Sequence, residues 1–287
     1  SSSSSYLFFN NMHILNTRFV NYIINIYGDY YFVDGSNIIK NENYLLFLEN
    51  NNDGLIINKN AKNGLMKENI PLLRFPSTSQ GLEDLKLYEY NGKIKFIATT
   101  MGYWFTGGTR MVIGDYNIDK FIYENISLVI PPYDSFYEKN WAFIKDTTCL
   151  NRELFIYKWY PLEIGEIVKA GFNTQLLIVC RHNIENELFK LFKGSTNFIE
   201  YNNKFIGLVH YTEESFPRKY YNVLIELDED YKPIKYSNPF KLSERPIEFC
   251  IGMTIINNYY HFWISQMDRE PLLIIIEIDN IKLNNYI

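Results

Sequence analysis

Two-residue turn signals recur along this chain, and each is followed at once by an aromatic or β-branched run. Asn91-Gly92 precedes Lys93, Asn202-Asn203 precedes Lys204, and Asn257-Asn258 precedes Tyr259. Asn and Gly tolerate the positive φ that a tight hairpin turn requires, so the same hairpin is expected to recur. Strand-like runs are short and many: 19–26, 45–48, 93–99, 110–114, 154–157, 175–181, 204–210, 221–227, 259–265 and 272–278. Most are bounded by Asn, Gly, Asp or Pro, which end strands and build turns. No segment combines a long helical period with caps, so helices should be few.

Recurring hairpins over 287 residues fit radial repetition, in which only short, protected strand edges remain. The expected fold is all-β, a β-propeller, with a sandwich as the structural alternative, and the hairpins alone leave the number of blades open. Gly and Pro are spread evenly, with no interdomain linker. Residues 11–287 therefore read as a single propeller domain. Residues 1–10, opening on five serines, read as a linker or remnant, which suggests one module of a larger chain. The abundance of Tyr and Phe, 24 and 21 copies, suits pleated, half-buried surfaces. Tyr hydroxyls also suit sugar binding.

A net charge of -5 without a basic stripe argues against a nucleic-acid partner. Cys149, Cys180 and Cys250 lie far apart, with neither metal-ligand spacing nor a disulfide framework. Their odd number favours a reducing, cytoplasmic compartment. No apolar run reaches the roughly 20 residues that span a bilayer, and the first residues lack the basic end and apolar stretch of a signal peptide. There is no Gly-rich phosphate loop, no His-Glu-x-x-His and no Gly-x-Ser-x-Gly. Neither a metal nor a cofactor is expected.

Several short motifs run in a fixed order. Gly81-Leu82-Glu83-Asp84-Leu85-Lys86 leads into Tyr90-Asn91-Gly92-Lys93. Gly194-Ser195-Thr196 precedes an apolar strand that ends in His210-Tyr211. Asn16-Thr17-Arg18-Phe19, Glu138-Lys139-Asn140-Trp141, Glu248-Phe249-Cys250-Ile251-Gly252 and Ser265-Gln266-Met267-Asp268 complete the set. Together they resemble the Glu-Asp-Pro-Arg element, the Gly-Thr-Pro-Pro and Tyr-His-Gly elements, the first-blade Arg, the Lys-Asp element and the last-blade acids of five-bladed propeller enzymes. These are the β-mannoside phosphorylases of glycoside hydrolase family 130 and the related β-1,2-mannosyltransferases. The resemblance spans about residues 16–278.

The resemblance implies a funnel that makes or breaks β-linked, mannose-like bonds. Asp84 is the implied catalytic proton donor. Arg18, Glu83, Lys86, Tyr103, Arg110, Lys139, Asn140, His210, Tyr211, Glu248 and Asp268 are the implied substrate-binding residues. The partners would be a sugar donor, either a sugar phosphate or a nucleotide sugar, and a glycan acceptor. Two departures bear on the reaction. Leu85-Lys86 stands where the family has Pro-Arg, and Lys lacks the planar fork that suits phosphate. Asn140 stands where the family has Asp. The departure at Lys86, with the absence of basic residues from Met101-Gly102-Tyr103-Trp104, favours glycosyl transfer or hydrolysis over phosphorolysis, while the departures at Lys86 and Asn140 also fit a non-catalytic glycan-binding propeller. Each residue has a structural reading too. Asp84 and Asp268 could be turn residues, Arg110 a solvated turn, and His210 a bonded strand end. Tyr103, Trp104 and Trp141 could be core.

Overall fold

Asn91 and Gly92 have φ of 53° and 68°, Asn202 and Asn203 have 52° and 58°, and Asn257 and Asn258 have 50° and 68°. Each pair joins the innermost strand of a blade to the next strand. Glu83–Tyr90 turns into Lys93–Thr100, Ile199–Tyr201 into Lys204–Glu213, and Glu248–Ile256 into Tyr259–Gln266. A fourth pair, Asn10-Asn11, with φ of 47° and 60°, does the same between Ser4–Phe9 and Met12–Val20. These positions come from a computed structural model, which describes every residue except 1, 26, 52, 53, 69, 71, 105, 106, 172 and 287.

The chain is a five-bladed, all-β propeller. Blade 1 orders Ser4–Phe9, Met12–Val20, Ile39–Asn51 and Gly54–Ile57, and a small hairpin, Tyr22–Ile24 with Tyr30–Phe32, rises between its second and third strands. Blade 2 is Glu83–Tyr90, Lys93–Thr100, Arg110–Asn117 and Ile122–Ile130. Blade 3 is Ala142–Lys145, Glu153–Trp159, Leu162–Ala170 and Asn173–His182, and its last strand pairs briefly with the last strand of blade 2. Blade 4 sets Lys193–Gly194 and Ile199–Tyr201 against Lys204–Glu213, followed by Lys219–Leu227, Pro233–Ser237 and, outermost, Leu283–Asn285. Blade 5 has Glu248–Ile256, Tyr259–Gln266 and Glu270–Glu277. Among the described residues, helix is confined to the 3-10 turns Glu187–Leu191 and Ile278–Asn280, and no helix is long and apolar enough to cross a membrane.

Apolar clusters lie between neighbouring blades and hold the ring together. Ile14, Leu85 and Phe96 join blades 1 and 2; Ile97, Trp141 and Phe155 join blades 2 and 3. Ile156, Phe198 and Val223 join blades 3 and 4; Leu208, Leu224 and Phe262 join blades 4 and 5. The ring closes between blades 5 and 1, where Tyr6 stacks on Trp263 with centroids 4.3 Å apart. A stacked pair of this kind adds about 1 kcal/mol beyond the area it buries.

Within the expected linker over residues 1–10, Ser4–Phe9 is instead the innermost strand of blade 1. Ser2, Ser3, Ser4 and Ser5 are all buried. Ser5 Oγ accepts from the Leu87 amide at 2.9 Å, and Ser4 Oγ meets Thr17 Oγ1 at 3.1 Å. Small hydroxylated side chains fit where inner strands converge on the axis, because they satisfy neighbouring backbone without needing volume. The strand expected over 19–26 is divided between Met12–Val20 and Tyr22–Ile24, and residue 26 lies outside the described residues.

Candidate functional site

The inner strand of blade 2 begins with a bulge. Glu83 pairs with Thr99 and Lys86 with Ile97, so Asp84 and Leu85 together face Ala98 alone. Asp84 takes a φ of 50°, a left-handed conformation that Asp tolerates better than most residues. A bulge re-aims side chains. Here Asp84 and its neighbour Glu83 both line one cavity, while Leu85 is fully buried in the core. Gly81 makes the approach possible. Its φ is 84°, and a Cβ there would lie 2.1 Å from the Asn41 carbonyl oxygen.

Arg18, at the end of the second strand of blade 1, is the hub of the carboxylate wall. It is 3% exposed. Its Nη1 donates to Asp84 Oδ1 at 2.9 Å and lies 3.6 Å from Glu83 Oε1, and its Nη2 lies 3.9 Å from Asp268 Oδ2. Nη2 also reaches the Tyr22 hydroxyl at 3.3 Å, and that hydroxyl donates to Asp268 Oδ2 at 2.8 Å. Ser3 Oγ gives Asp84 Oδ1 a second donor at 2.9 Å. Burial alone would lower the affinity of Arg18 for its proton, but the charges of Asp84, Glu83 and Asp268 and the Tyr22 hydroxyl outweigh it and raise it. Three carboxyl groups share this one guanidinium. Burial first, and then the charge of Asp84, push the Glu83 carboxyl above the ordinary glutamate range, with Arg18 and Lys139 opposing. Glu83 therefore keeps a proton more readily than a free glutamate does.

Among the described residues, the opposite wall carries three cations and one carboxylate, Glu214, which pairs with Arg218 at 3.5 Å. Lys139 and Asn140 precede the inner strand of blade 3, Lys193 opens blade 4, and Arg218 stands on the loop before Lys219–Leu227; all four line the same cavity. His210 lies beside them, 4% exposed, with Nδ1 2.8 Å from Ser195 Oγ. Burial, reinforced by Lys193, Lys86 and Lys139, lowers its pKa to about 3, so the imidazole is neutral at physiological pH. The Lys193 amine is also lowered, by burial and by the charges of Lys139 and Arg218. The cavity between the two walls measures about 540 Å³, within the usual span of small-ligand sites.

Of the twelve residues expected to bind or react, Arg18, Glu83, Asp84, Lys139, Asn140, His210 and Asp268 are thus gathered around one cavity. The other five lie elsewhere. Lys86 points into the ring, where its Nζ donates to the Trp141 carbonyl at 2.6 Å, and burial lowers its pKa to about 7 against the opposing pull of Asp84. Tyr103 donates to Glu68 at 2.6 Å on the outer side of blade 2. Arg110 lies over the Trp104 ring at 4.6 Å and donates to the carbonyls of Thr109 and Phe136. Tyr211 stacks on Tyr221 across a strand pair. Glu248 is buried and accepts from Asn222, Leu242 and Ser243, which makes it a loop anchor. Strand alternation explains Tyr211, since successive side chains point to opposite faces and His210 faces the cavity. Trp141 is core, donating to Glu138 at 2.9 Å.

Sequence reasoning missed Tyr22, Tyr30, Lys193, Arg218 and Tyr220, which also line the cavity. For Tyr22 and Tyr30 the available signal was the density of aromatic residues over 22–32. Lys193 was within reach too, one residue before the Gly194-Ser195-Thr196 motif.

No protein-family model matches the chain, and no curated protein matches it in sequence. Solved structures do match in fold. A β-1,2-mannobiose phosphorylase from Listeria innocua superposes with a TM-score of 0.56 at 11% identity, over 96% of this chain and 89% of that one. The chain has the fold of the mannoside phosphorylase propellers. A glycosyl hydrolase from Bacteroides ovatus matches with a TM-score of 0.60 at 11% identity, over 100% and 87% of the two chains. A mannose phosphorylase from Leishmania mexicana, solved with phosphate, matches with a TM-score of 0.51 at 11% identity, over 99% and 86%.

Proposed function

We propose that this cavity moves a mannose-like unit between a sugar hydroxyl and a phosphate group, with Asp84 handling the proton. The observation that carries the reading is the opposition of two walls. Asp84 and Glu83 stand on one, and Lys139, Lys193 and Arg218 face the same space from the other. A phosphate needs cations that can approach it, and a glycosidic oxygen needs a carboxyl group. Lys139 and Lys193 carry no ion pair among the described residues, while Arg218 is shared with Glu214 at 3.5 Å.

In the cleaving direction, Asp84 in its acid form gives a proton to the glycosidic oxygen. The C1–O bond to the leaving sugar breaks through an oxocarbenium-like state, and a phosphate oxygen bonds to C1. In the synthetic direction, the Asp84 carboxylate takes the proton of the acceptor hydroxyl as that oxygen bonds to C1, and phosphate departs with the electron pair of its own C1–O bond. Glu83 keeps a proton within the acid cluster, which helps to return Asp84 to its acid form. Asp268, fixed by the Tyr22 hydroxyl, suits a sugar diol, since a carboxylate accepts two donors at once.

The departure at Lys86 and the lack of basic residues over 101–104 favoured transfer over phosphorolysis. Lys86 does not line the cavity, so its lost fork no longer weighs against phosphate, and Lys193 and Arg218 add cations. A sugar phosphate donor serves transfer and the reverse of phosphorolysis alike. The test pairs wild type with Asp84→Asn, each given mannose 1-phosphate or GDP-mannose with a panel of acceptor sugars, and β-1,2-mannobiose with phosphate. Products are read by mass spectrometry. Transfer by the wild type that falls about 10²–10⁴-fold in the mutant supports the reading. Equal oligosaccharide binding by both proteins, with no reaction in either, would replace it with a glycan-binding propeller.

A further inference from the structure

The inner strands carry a second cavity at their opposite ends. In blade 2, Glu83 and Asp84 open the strand on the sugar-site side, and Leu87–Tyr90 close it on the other. Between them the axis is blocked. The backbone of Leu87 is held from two sides, its amide by Ser5 Oγ at 2.9 Å and its carbonyl by Asn197 Nδ2 at 2.8 Å. Lys86 Nζ crosses to the Trp141 carbonyl just above. The second cavity is therefore separate from the first and rests on none of the chemistry assigned there.

All five blades wall it. Tyr6, Leu87, Phe143, Phe198 and Met253 come from blades 1 to 5 in turn, and each is at most 9% exposed. The polar groups among them already have partners. Asn197 Oδ1 accepts from the Phe143 amide, and Ser5 and Asn197 are bonded to Leu87. At the rim, Lys145 pairs with Glu200 at 2.7 Å and Arg152 with Asp146 at 3.1 Å. Glu89, on the same rim, accepts only the Gly92 amide among the described residues, so one negative charge is left over, which disfavours an anionic ligand and offers a cation no enclosed partner. What remains for a visitor is apolar area, contributed mainly by aromatic rings and a methionine. Such surface favours an uncharged, apolar guest. The volume, about 270 Å³, admits a small molecule and nothing polymeric.

We propose that the face opposite the sugar cavity carries a binding site for a small uncharged apolar molecule, of one or two rings, at the blocked end of the propeller axis. The adaptable side chain of Met253 can fit itself to such a guest, and Phe143, stacked on Tyr88 with centroids 4.4 Å apart, gives a rigid apolar wall.

The probe for the test is N-phenyl-1-naphthylamine, an uncharged fluorophore, titrated into the whole protein. The expected result is one saturable site per chain, unchanged by saturating mannose and by Asp84→Asn. Two exposed rim positions on different walls, Glu200 and Glu89, take a bulky residue without disturbing the core. Glu200→Trp and Glu89→Trp should each weaken binding at least tenfold, and thermal melting followed by circular dichroism checks that both fold. A naphthalene sulfonate of similar size should bind more weakly than the neutral probe. Non-saturating fluorescence, displacement by mannose, undiminished affinity in both rim variants, or tighter binding of the sulfonate would each overturn the proposal.

Discussion

Replacing Arg18 by Met should destabilise the protein in a way that depends on pH. The guanidinium is 3% exposed and sits 2.9 Å from Asp84, 3.6 Å from Glu83 and 3.9 Å from Asp268. Methionine keeps much of the length and removes the charge. Removing one partner of a buried ion pair costs about 3–5 kcal/mol, because the remaining charge is left without compensation. The carboxylates still see the cavity, with side-chain exposures of 16% for Asp84 and 20% for Asp268, so a loss near the lower end, about 3 kcal/mol at pH 7, is expected. The sign of the pH effect follows from proton linkage. Glu83 already has a raised pKa in the folded protein, so the native state holds more protons than the unfolded one above the ordinary glutamate pKa. Its contribution is full below that value and is lost as pH rises through the folded pKa. Without Arg18, the charge that opposes the rise at Glu83 is gone, so Glu83 holds its proton to higher pH and the decline with pH becomes steeper. Urea unfolding at about pH 7 and at about pH 4.5 tests it, with the linear extrapolation applied at each. The loss should shrink at the lower pH, and Arg18→Met with Asp84→Asn should recover part of it. A deficit under about 1 kcal/mol at pH 7, or one identical at both pH values, would refute the hub role of Arg18.

Three further outcomes are expected. His210 should stay neutral at pH 5, since its folded pKa is about 3; imidazole NMR shifts that report the cation at pH 5 would contradict this. The same depression means that stability falls as pH drops from the unfolded value toward 3, and His210→Gln should flatten that part of a melting-temperature profile. Lys86→Met should leave stability near pH 7 within about 1 kcal/mol, since an apolar side chain of like volume replaces a buried amine. It should also abolish a gain in stability between pH 7 and 10, because the unfolded lysine holds its proton to higher pH than the folded one, whose pKa is about 7, and urea curves at the two pH values measure it. Gly81→Ala should cost at least about 2 kcal/mol, from a left-handed φ and a clash with the Asn41 carbonyl, and should lower any activity of Asp84 by shifting the bulge; calorimetry and the transfer assay read the two effects.

How much was legible in the sequence differs residue by residue. The Asn turns announced their hairpins because a positive φ at two consecutive residues is a local demand that Asn and Gly meet at little cost. Arg18, Asp84, Lys139, His210 and Asp268 were reachable because each lies in a short ordered motif. Tyr103, Arg110, Tyr211, Glu248 and Lys86 belong to those or nearby stretches yet serve the packing. A motif names a stretch of chain, whereas one step along a strand reverses the side chain. His210 and Tyr211 differ by that single step.

The opening serines mark the limit from the other side. In composition they read as a linker, since five small hydroxyls carry no hydrophobic period. Ser2, Ser3, Ser4 and Ser5 are buried only because the chain's first strand ends up at the axis of a ring whose other inner strands lie up to some 250 residues away. Local residue chemistry by itself determined the strands, the turns and the scarcity of helix, because those depend on neighbours in the chain. Only the tertiary structure decided which charges share a cavity. Arg18 meets Asp84 and Asp268 through closure of the ring, and Lys193 and Arg218 face them across it. No period or spacing in the sequence encodes those distances, which arise when five apolar seams pack together and bring the ends of their strands to one point.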